Sequence, residues 1–360
     1  MVTAGSGTSP GPAFFAGLFT YSAFQSLMLQ RRQFLRFARS RYLSTDEYWL
    51  HVNRAVMACR FEVTMARGQA GGVAAGKRAL DIAGRIEEQL TVFRETSEVS
   101  YINRNAASRA IPVEYSLWEL LKRCRDLHRQ SDGAFDITSA PLSQCWGFLR
   151  RQGRVPEPNE IDKALSVVGC DKLRFDDQAR TIRFQLPGVE LNFGSIGKGY
   201  ALDRMARALR GGVETALLSA GSSSLLAIGA GDLREGGWKI GIRHPSRKDM
   251  RIAVLRLRDC AMSTSGSEEQ FFEYQGKRYG HIIDPRNGQP AEGVASATVI
   301  AASAELTDAL ATAFYVGGVE LAERFCASNT GVMVIILETG STRPAILGSN
   351  QNCSVELMSE

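Results

Sequence analysis

The chain has 360 residues, 44% of them hydrophobic and 22% charged, a globular composition that excludes wholesale disorder. Its 35 glycines follow no three-residue period and no 20-to-50-residue repeat is visible, which excludes collagen-like, solenoid and propeller architectures. The formal charge of +5 comes from residues 1–45, where Arg31, Arg32, Arg36, Arg39 and Arg41 stand without an acid; the rest is charge-balanced, so no nucleic-acid partner is expected.

Residues 12–29 are apolar but short for a membrane span, and Thr20, Ser22 and Gln25 interrupt them. Their positive charges follow the apolar stretch, whereas a secretory signal places them before it. Residues 1–47 are therefore expected to be an extension that is disordered or associates with a membrane. No lipid-attachment or cleavage signal is seen, so the compartment stays open and the cytoplasm is admissible. The seven cysteines include no C-x-x-C pair and no short Cys/His cluster, which disfavours structural zinc and suits core thiols.

From Tyr48 onward the chain alternates between helical and extended patterns. Leu80, Ala83, Ile86 and Leu90 form a helical stripe within Lys77 to Leu90, and Leu117, Leu120, Leu121, Cys124 and Leu127 form a second. Next comes Asp132-Gly133-Ala134-Phe135-Asp136-Ile137-Thr138, a composition suited to a turn where backbone approaches a ligand; a plain helix-to-strand turn is the alternative. Thr181 to Leu186 reads as a strand.

Asn192-Phe193-Gly194-Ser195-Ile196-Gly197-Lys198-Gly199-Tyr200 then enters a helix marked by Ala201, Leu202, Met205 and Leu209. A glycine-rich turn at a helix N-terminus favours phosphate, and Lys198 adds a mobile cation, although this is not a Walker loop. Ala216 to Ala220 and Val332 to Leu337 are apolar runs of the kind that strands buried on both faces show; Trp238 to Arg243 alternates.

Ser263-Thr264-Ser265-Gly266 precedes Gly280-His281-Ile282-Ile283-Asp284-Pro285-Arg286-Asn287-Gly288. Histidine as a residue type can accept a hydroxyl proton near neutral pH, which makes His281 a base candidate, with a turn-bound histidine as the alternative. In a helix of about Ser303 to Tyr315, Asp308 and Thr312 lie four residues apart on one face and could share a hard cation such as Mg²⁺. An acid that simply favours the helix dipole is the other reading of Asp308.

These stretches, in this order, resemble the FAD:protein FMN transferase family, also known as the thiamine-biosynthesis lipoprotein family. The resemblance runs from Met57 to about Gly318. It rests on Gly-Ala-Phe-Asp, the Gly194-to-Asp203 stretch, Thr-Ser-Gly, His-Ile-Ile-Asp-Pro-Arg-x-Gly and Thr-Asp-Ala-x-x-Thr. It implies an α+β fold over residues 48–350, a single composite domain of mixed or antiparallel sheets packed with helices (T-fold-like), with 351–360 as a C-terminal tail. It implies FAD as substrate and Mg²⁺ as cofactor. Met57, Phe93, Ala134, Phe135, Asp136, Asn192, Lys198 and Ile283 would contact FAD. The Ser195 carbonyl, Asp308 and Thr312 would hold the metal. His281 would be the base, with Asp284 orienting it or serving structure.

The implied reaction moves FMN from FAD to a Thr or Ser hydroxyl of an acceptor protein, such as a membrane redox-complex subunit, and releases AMP. Two alternatives use the same site: an Mg²⁺-dependent FAD pyrophosphatase and a non-catalytic FAD-binding protein. Four positions depart from the family pattern. Ala58 and Cys59 follow Met57 where Gly-Thr is usual, Phe93 replaces a tyrosine, Asn192 replaces an acid, and Gly221-Ser222-Ser223-Ser224 stands where Gly-Gly-Asp is common.

Overall fold

The computed structural model describes residues 49–66, 71–149, 151–231, 236–247, 249–266 and 270–358. The chain divides into two units, 1–46 and 47–360. The expected N-terminal extension, residues 1–47, lies outside the described residues.

An eight-stranded antiparallel sheet organises the second unit. Its strands are β1 (Trp49–Val56), β2 (Cys59–Ala66), β6 (Ala216–Ala220), β7 (Ser224–Ile228), β10 (Ala261–Gly266), β13 (Val294–Ala301), β14 (Met333–Glu338) and β15 (Ala345–Gly348), in the order β1-β2-β6-β7-β10-β13-β14-β15. Successive side chains of a strand point to opposite faces. In β14, Val334 and Ile336 enter one core while Met333, Ile335 and Leu337 enter another. In β6, Ala216 and Leu218 face the first core and Leu217 the second. The apolar runs thus mark a sheet covered on both sides, by helices on one and by a second sheet on the other.

The first core packs helices α1 (Gly72–Leu90), α2 (Glu98–Asn105), α3 (Tyr115–Gln130), α6 (Gly197–Leu209) and α7 (Ala304–Ser328). The predicted stripes lie inside it: Leu80, Ala83, Ile86 and Leu90 on α1, and Leu117, Leu120, Leu121, Cys124 and Leu127 on α3. Helix α7 starts where Ser303 accepts a hydrogen bond from the Leu306 N–H at 3.3 Å, and it breaks at Gly318, whose φ is +71°. The helical pattern predicted to end near Tyr315 therefore continues for two more residues before the break and resumes beyond it.

The second core lies under β8 (Trp238–Arg243), β9 (Arg251–Leu257) and β16 (Cys353–Leu357), ordered β16-β9-β8. This corrects the expected tail at 351–360. Cys353 to Leu357 pairs with β9 and rests Cys353 and Val355 on the second core. A five-residue strand with two half-buried apolar side chains is too weakly patterned to be seen without its partner.

A third sheet joins β3 (Ile111–Pro112), β4 (Leu173–Asp176) and β5 (Thr181–Phe184). Helices α4 (Ala140–Cys145) and α5 (Pro158–Leu165) pack near the hairpin β11 (Phe271–Tyr274) and β12 (Lys277–Gly280). No helix among the described residues is long and apolar enough to cross a membrane.

Two backbone features invite direct tests. The β1–β2 hairpin turns through Met57 and Ala58 with φ of +50° and +56°, in a two-residue loop that favours glycine. Ala58→Gly should raise stability by about 1 kcal/mol in urea denaturation, since an L-residue there bears a left-handed conformation. Gly199 is the opposite case. A Cβ placed on it would penetrate the Ala304 carbonyl and lie 2.8 Å from the Asp308 Cβ. Gly199→Ala should cost about 3 kcal/mol in the same assay, because two helix backbones would have to separate.

Candidate active site

The site is built where α6 meets α7. Asp203 of α6 accepts the Ala304 and Glu305 N–H groups, each at 2.9 Å, and the Ser303 hydroxyl at 2.7 Å. It thereby fixes the N-terminus of α7 against α6. One turn later the buried Asp308 returns the contact. Its Oδ2 accepts the Gly199 N–H at 3.0 Å, and its Oδ1 accepts the Ser224 hydroxyl at 3.0 Å.

Burial pushes the Asp308 carboxyl up. Lys198, the Gly199 N–H and Ser224 pull the other way without cancelling it. The Lys198 ammonium is 3.9 Å from Asp308 Oδ1 and donates to Ser223 Oγ at 2.6 Å. This corrects one sequence expectation. The anion at the N-terminus of α6 is the chain's own Asp308 carboxylate, which takes the Gly199 N–H expected to face a phosphate. The reason is tertiary, since α7 lies far away in sequence.

Hydroxyls line the same face of α7. Ser263 and Ser265, which alternate to one side of β10, reach Thr307 at 2.9 Å and Thr312 at 3.3 Å. Thr264 turns the other way, to Thr298 at 2.8 Å. Asp308 and Thr312 thus combine a carboxylate with a hydroxyl beside the hydroxyls of Ser224 and Ser265, and each carboxylate oxygen holds a further lone pair. That donor chemistry fits Mg²⁺. Ser195 sits two residues before the start of α6 and is half-buried.

His281 is half-buried after β12. Its Nδ1 lies 3.0 Å from the Gln270 carbonyl, which only accepts, so Nδ1 bears the proton and Nε2 is the basic nitrogen. Asp284 braces the turn itself. It accepts the Arg286 N–H at 2.9 Å and the Arg286 guanidinium at 2.8 and 2.7 Å, while Asn287 donates at 3.4 Å. These bonds all lie within residues 284–287. Ile283 is buried among Leu142, Trp146, Phe148, Ile161 and Val168, where its side chain packs a third core.

The other expected FAD contacts separate by burial. Phe93 is 75% exposed in the loop after α1 and offers a free aromatic face. Met57 is half-buried at the hairpin tip, which Glu87 holds by accepting the Met57 N–H at 2.8 Å. Asn192 accepts the Gly194 N–H at 2.8 Å, which shapes the loop into α6.

Ala134 and Phe135, by contrast, are core side chains, each 1% exposed. A ligand can meet only their main chain. Asp136 also faces inward. Its carboxylate accepts from Thr138 N at 2.7 Å, Thr138 Oγ1 at 2.6 Å and Cys170 N at 3.2 Å, and pairs with His128 Nδ1 at 3.1 Å. His128, Asp136 and Cys170 bring three potential metal-ligand atoms within 4.8 Å of one another, a Cys/His grouping that sequence spacing did not show. With four donors already on Asp136, the group works as a polar pin between α3, the 132–138 turn and the segment at Cys170.

The sequence singled out the stretches holding Ser223, Ser224, Ser263 and Ser265 but gave these serines no individual role, since serine is ordinary in turns and strands. Asp203 was inside a recognised motif, but its capping role needs the fold.

Comparison with known proteins agrees with this architecture. The model of the ApbE family matches residues 57–336. A FAD:protein FMN transferase of Treponema pallidum is 32% identical over 73% of this chain and 76% of its own length. One from Salmonella typhimurium is 28% identical over 73% and 79%. Among solved structures, the ApbE protein of Thermotoga maritima superposes with a TM-score of 0.76 at 29% identity, covering 84% of this chain and 97% of that one. The Pseudomonas stutzeri flavinyl transferase ApbE gives 0.74 at 28%, covering 85% and 96%.

The His128–Asp136 pair predicts a pH dependence of stability. Burial lowers the His128 pKa, but the Asp136 carboxylate outweighs it and the net shift is upward. For Asp136, burial raises the pKa, but His128 and Thr138 outweigh it and the net shift is downward. Stability from the raised histidine is full below its unfolded value of about 6.5 and fades as pH climbs through the folded pKa; that from the aspartate fades only in acid, below about 4. Wild type should therefore exceed His128→Gln most in urea melts near pH 5.5, with the gap narrowing by pH 8.5.

Proposed function

The chain belongs to the ApbE family and is a transferase, and from that premise we propose that it performs Mg²⁺-dependent transfer of the FMN moiety of FAD to a Thr or Ser hydroxyl of an acceptor protein, releasing AMP. The observation that carries this reading is Asp308: a buried carboxylate, held by Gly199 and Ser224, with a lysine ammonium beside it and Thr312 one turn away.

Asp308, Thr312 and the carbonyl of Ser195 would hold the metal, which when bound supplies positive charge for the phosphoryl oxygens and the leaving AMP. Lys198 stands close enough to serve the same diphosphate. Phe93 offers its open face to a flavin or adenine ring, and the hairpin tip at Met57 adds an apolar contact. The acceptor hydroxyl oxygen attacks the FMN-side phosphorus in line, and its proton passes to Nε2 of His281. The bond from that phosphorus to the bridging oxygen breaks, and AMP departs with that oxygen. The Nδ1–H bond to the Gln270 carbonyl keeps the ring in the tautomer that accepts a proton at Nε2. An acceptor in a membrane redox complex is consistent with this chemistry.

The test is to incubate the purified chain with FAD and Mg²⁺, with and without an acceptor domain, and to follow flavin fluorescence on a denaturing gel together with AMP. A fluorescent acceptor band with matching AMP, lost on chelation, is expected; free FMN regardless of acceptor would identify a pyrophosphatase instead. Asp308→Asn should lose both transfer and its Mg²⁺ dependence, and full activity in that variant would reject the metal site. His281→Ala should slow transfer by about 10²–10⁴-fold while FAD binding persists.

A further inference from the structure

The Lys198 ammonium has an unusual seat. It lies 3.9 Å from the buried Asp308 carboxylate, longer than a direct contact, and its short bond is to Ser223 Oγ at 2.6 Å. Ser223 Oγ is in turn 3.5 Å from Ser224 Oγ, and Ser224 donates to the same Asp308 oxygen that faces Lys198. Consecutive serines thus divide the work: Ser224 holds the carboxylate and Ser223 holds the ammonium away from it. Both come from the Gly221-to-Ser224 stretch.

We infer that Lys198 is a resident counter-cation for Asp308, parked by Ser223, which yields its place to the divalent metal and swings to the FAD diphosphate as metal and FAD bind together. The inference rests on the metal site proposed above. Its physical basis is charge. A buried carboxylate needs a positive neighbour, and without FAD the lysine supplies one. A divalent ion on Asp308 and Thr312 would repel an ammonium so close by, whereas a diphosphate would attract it. Lys198 therefore opposes metal binding to the free protein and favours it once FAD is present, which couples the two ligands. Ser223 is a positioning residue in this scheme, since it acts only through Lys198. Parking at 3.9 Å rather than in direct contact keeps the carboxylate open to exchange.

The experiment titrates Mn²⁺, read by its electron paramagnetic resonance signal, into the full-length chain with and without FAD and with no acceptor. Lys198→Met should tighten Mn²⁺ binding to the FAD-free protein by about tenfold and reduce the gain that FAD brings. Ser223→Ala should do the reverse, because the released ammonium can close on Asp308, and Ser223→Thr should restore wild-type affinity by returning the hydroxyl. Opposite signs at Lys198 and Ser223 are the signature, since simple loss of structure would weaken Mn²⁺ binding in both. Unchanged or weaker binding in Lys198→Met, or a shift of the same sign in both variants, would overturn the inference. Should the wild type transfer flavin and bind Mn²⁺ while the variants fail that pattern, only the parking role falls; a wild type that neither binds Mn²⁺ nor transfers flavin would remove the functional reading and the inference together.

Discussion

At Gly199 the backbone of α6 passes so close to α7 that no side chain fits between them. That contact brings the first turn of one helix against the flank of the other, and it sets the chemistry of the site. It delivers the Gly199 N–H to the Asp308 carboxylate. It also lets Asp203 reach back and cap α7. The two helices are locked by reciprocal acid-to-backbone bonds, each in the other's favourable dipole field. Asp308 can remain buried and polar because this arrangement, with Ser224 and Lys198, satisfies it.

The sheet explains why the rest of the site is made of hydroxyls. Its central strands are covered on both faces, so their residues enter one core or the other. On β10 the side that meets α7 carries Ser263 and Ser265, whose small hydroxyls meet the helix hydroxyls and not its apolar stripe. A polar seam thereby runs through an otherwise apolar layer. Such a seam is stable only where each group finds a partner, and it furnishes the oxygen-rich wall that a hard cation requires.

Residues that seem alike in sequence divide sharply in role. Phe93 and Phe135 are both motif phenylalanines; one stands exposed beside α1, and the other fills the core. Asp136, Asp284 and Asp308 are all motif acids. Asp136 pins a turn through His128 and Thr138, and Asp284 braces its own loop through Arg286. Of the three, Asp308 alone pairs a raised carboxyl pKa with a neighbouring lysine and a row of hydroxyls. The other two are bonded within or beside their own turns.

The sequence by itself determined the helices and strands whose patterns are long or strongly periodic, such as α1, α3, β6 and β14, because burial on a repeating face imposes the period directly on residue type. It also singled out the stretches that hold Lys198, His281, Asp308 and Thr312 as candidates for chemistry. What only the tertiary structure decided is which partner each polar group meets. The Asp308 carboxylate occupies the helix end that local reasoning reserved for phosphate, Asp284 belongs to Arg286, and β16 joins β9 across nearly a hundred residues. A side chain's partner depends on distances between segments remote along the chain, and these are set by how the layers close on one another, which no local pattern encodes.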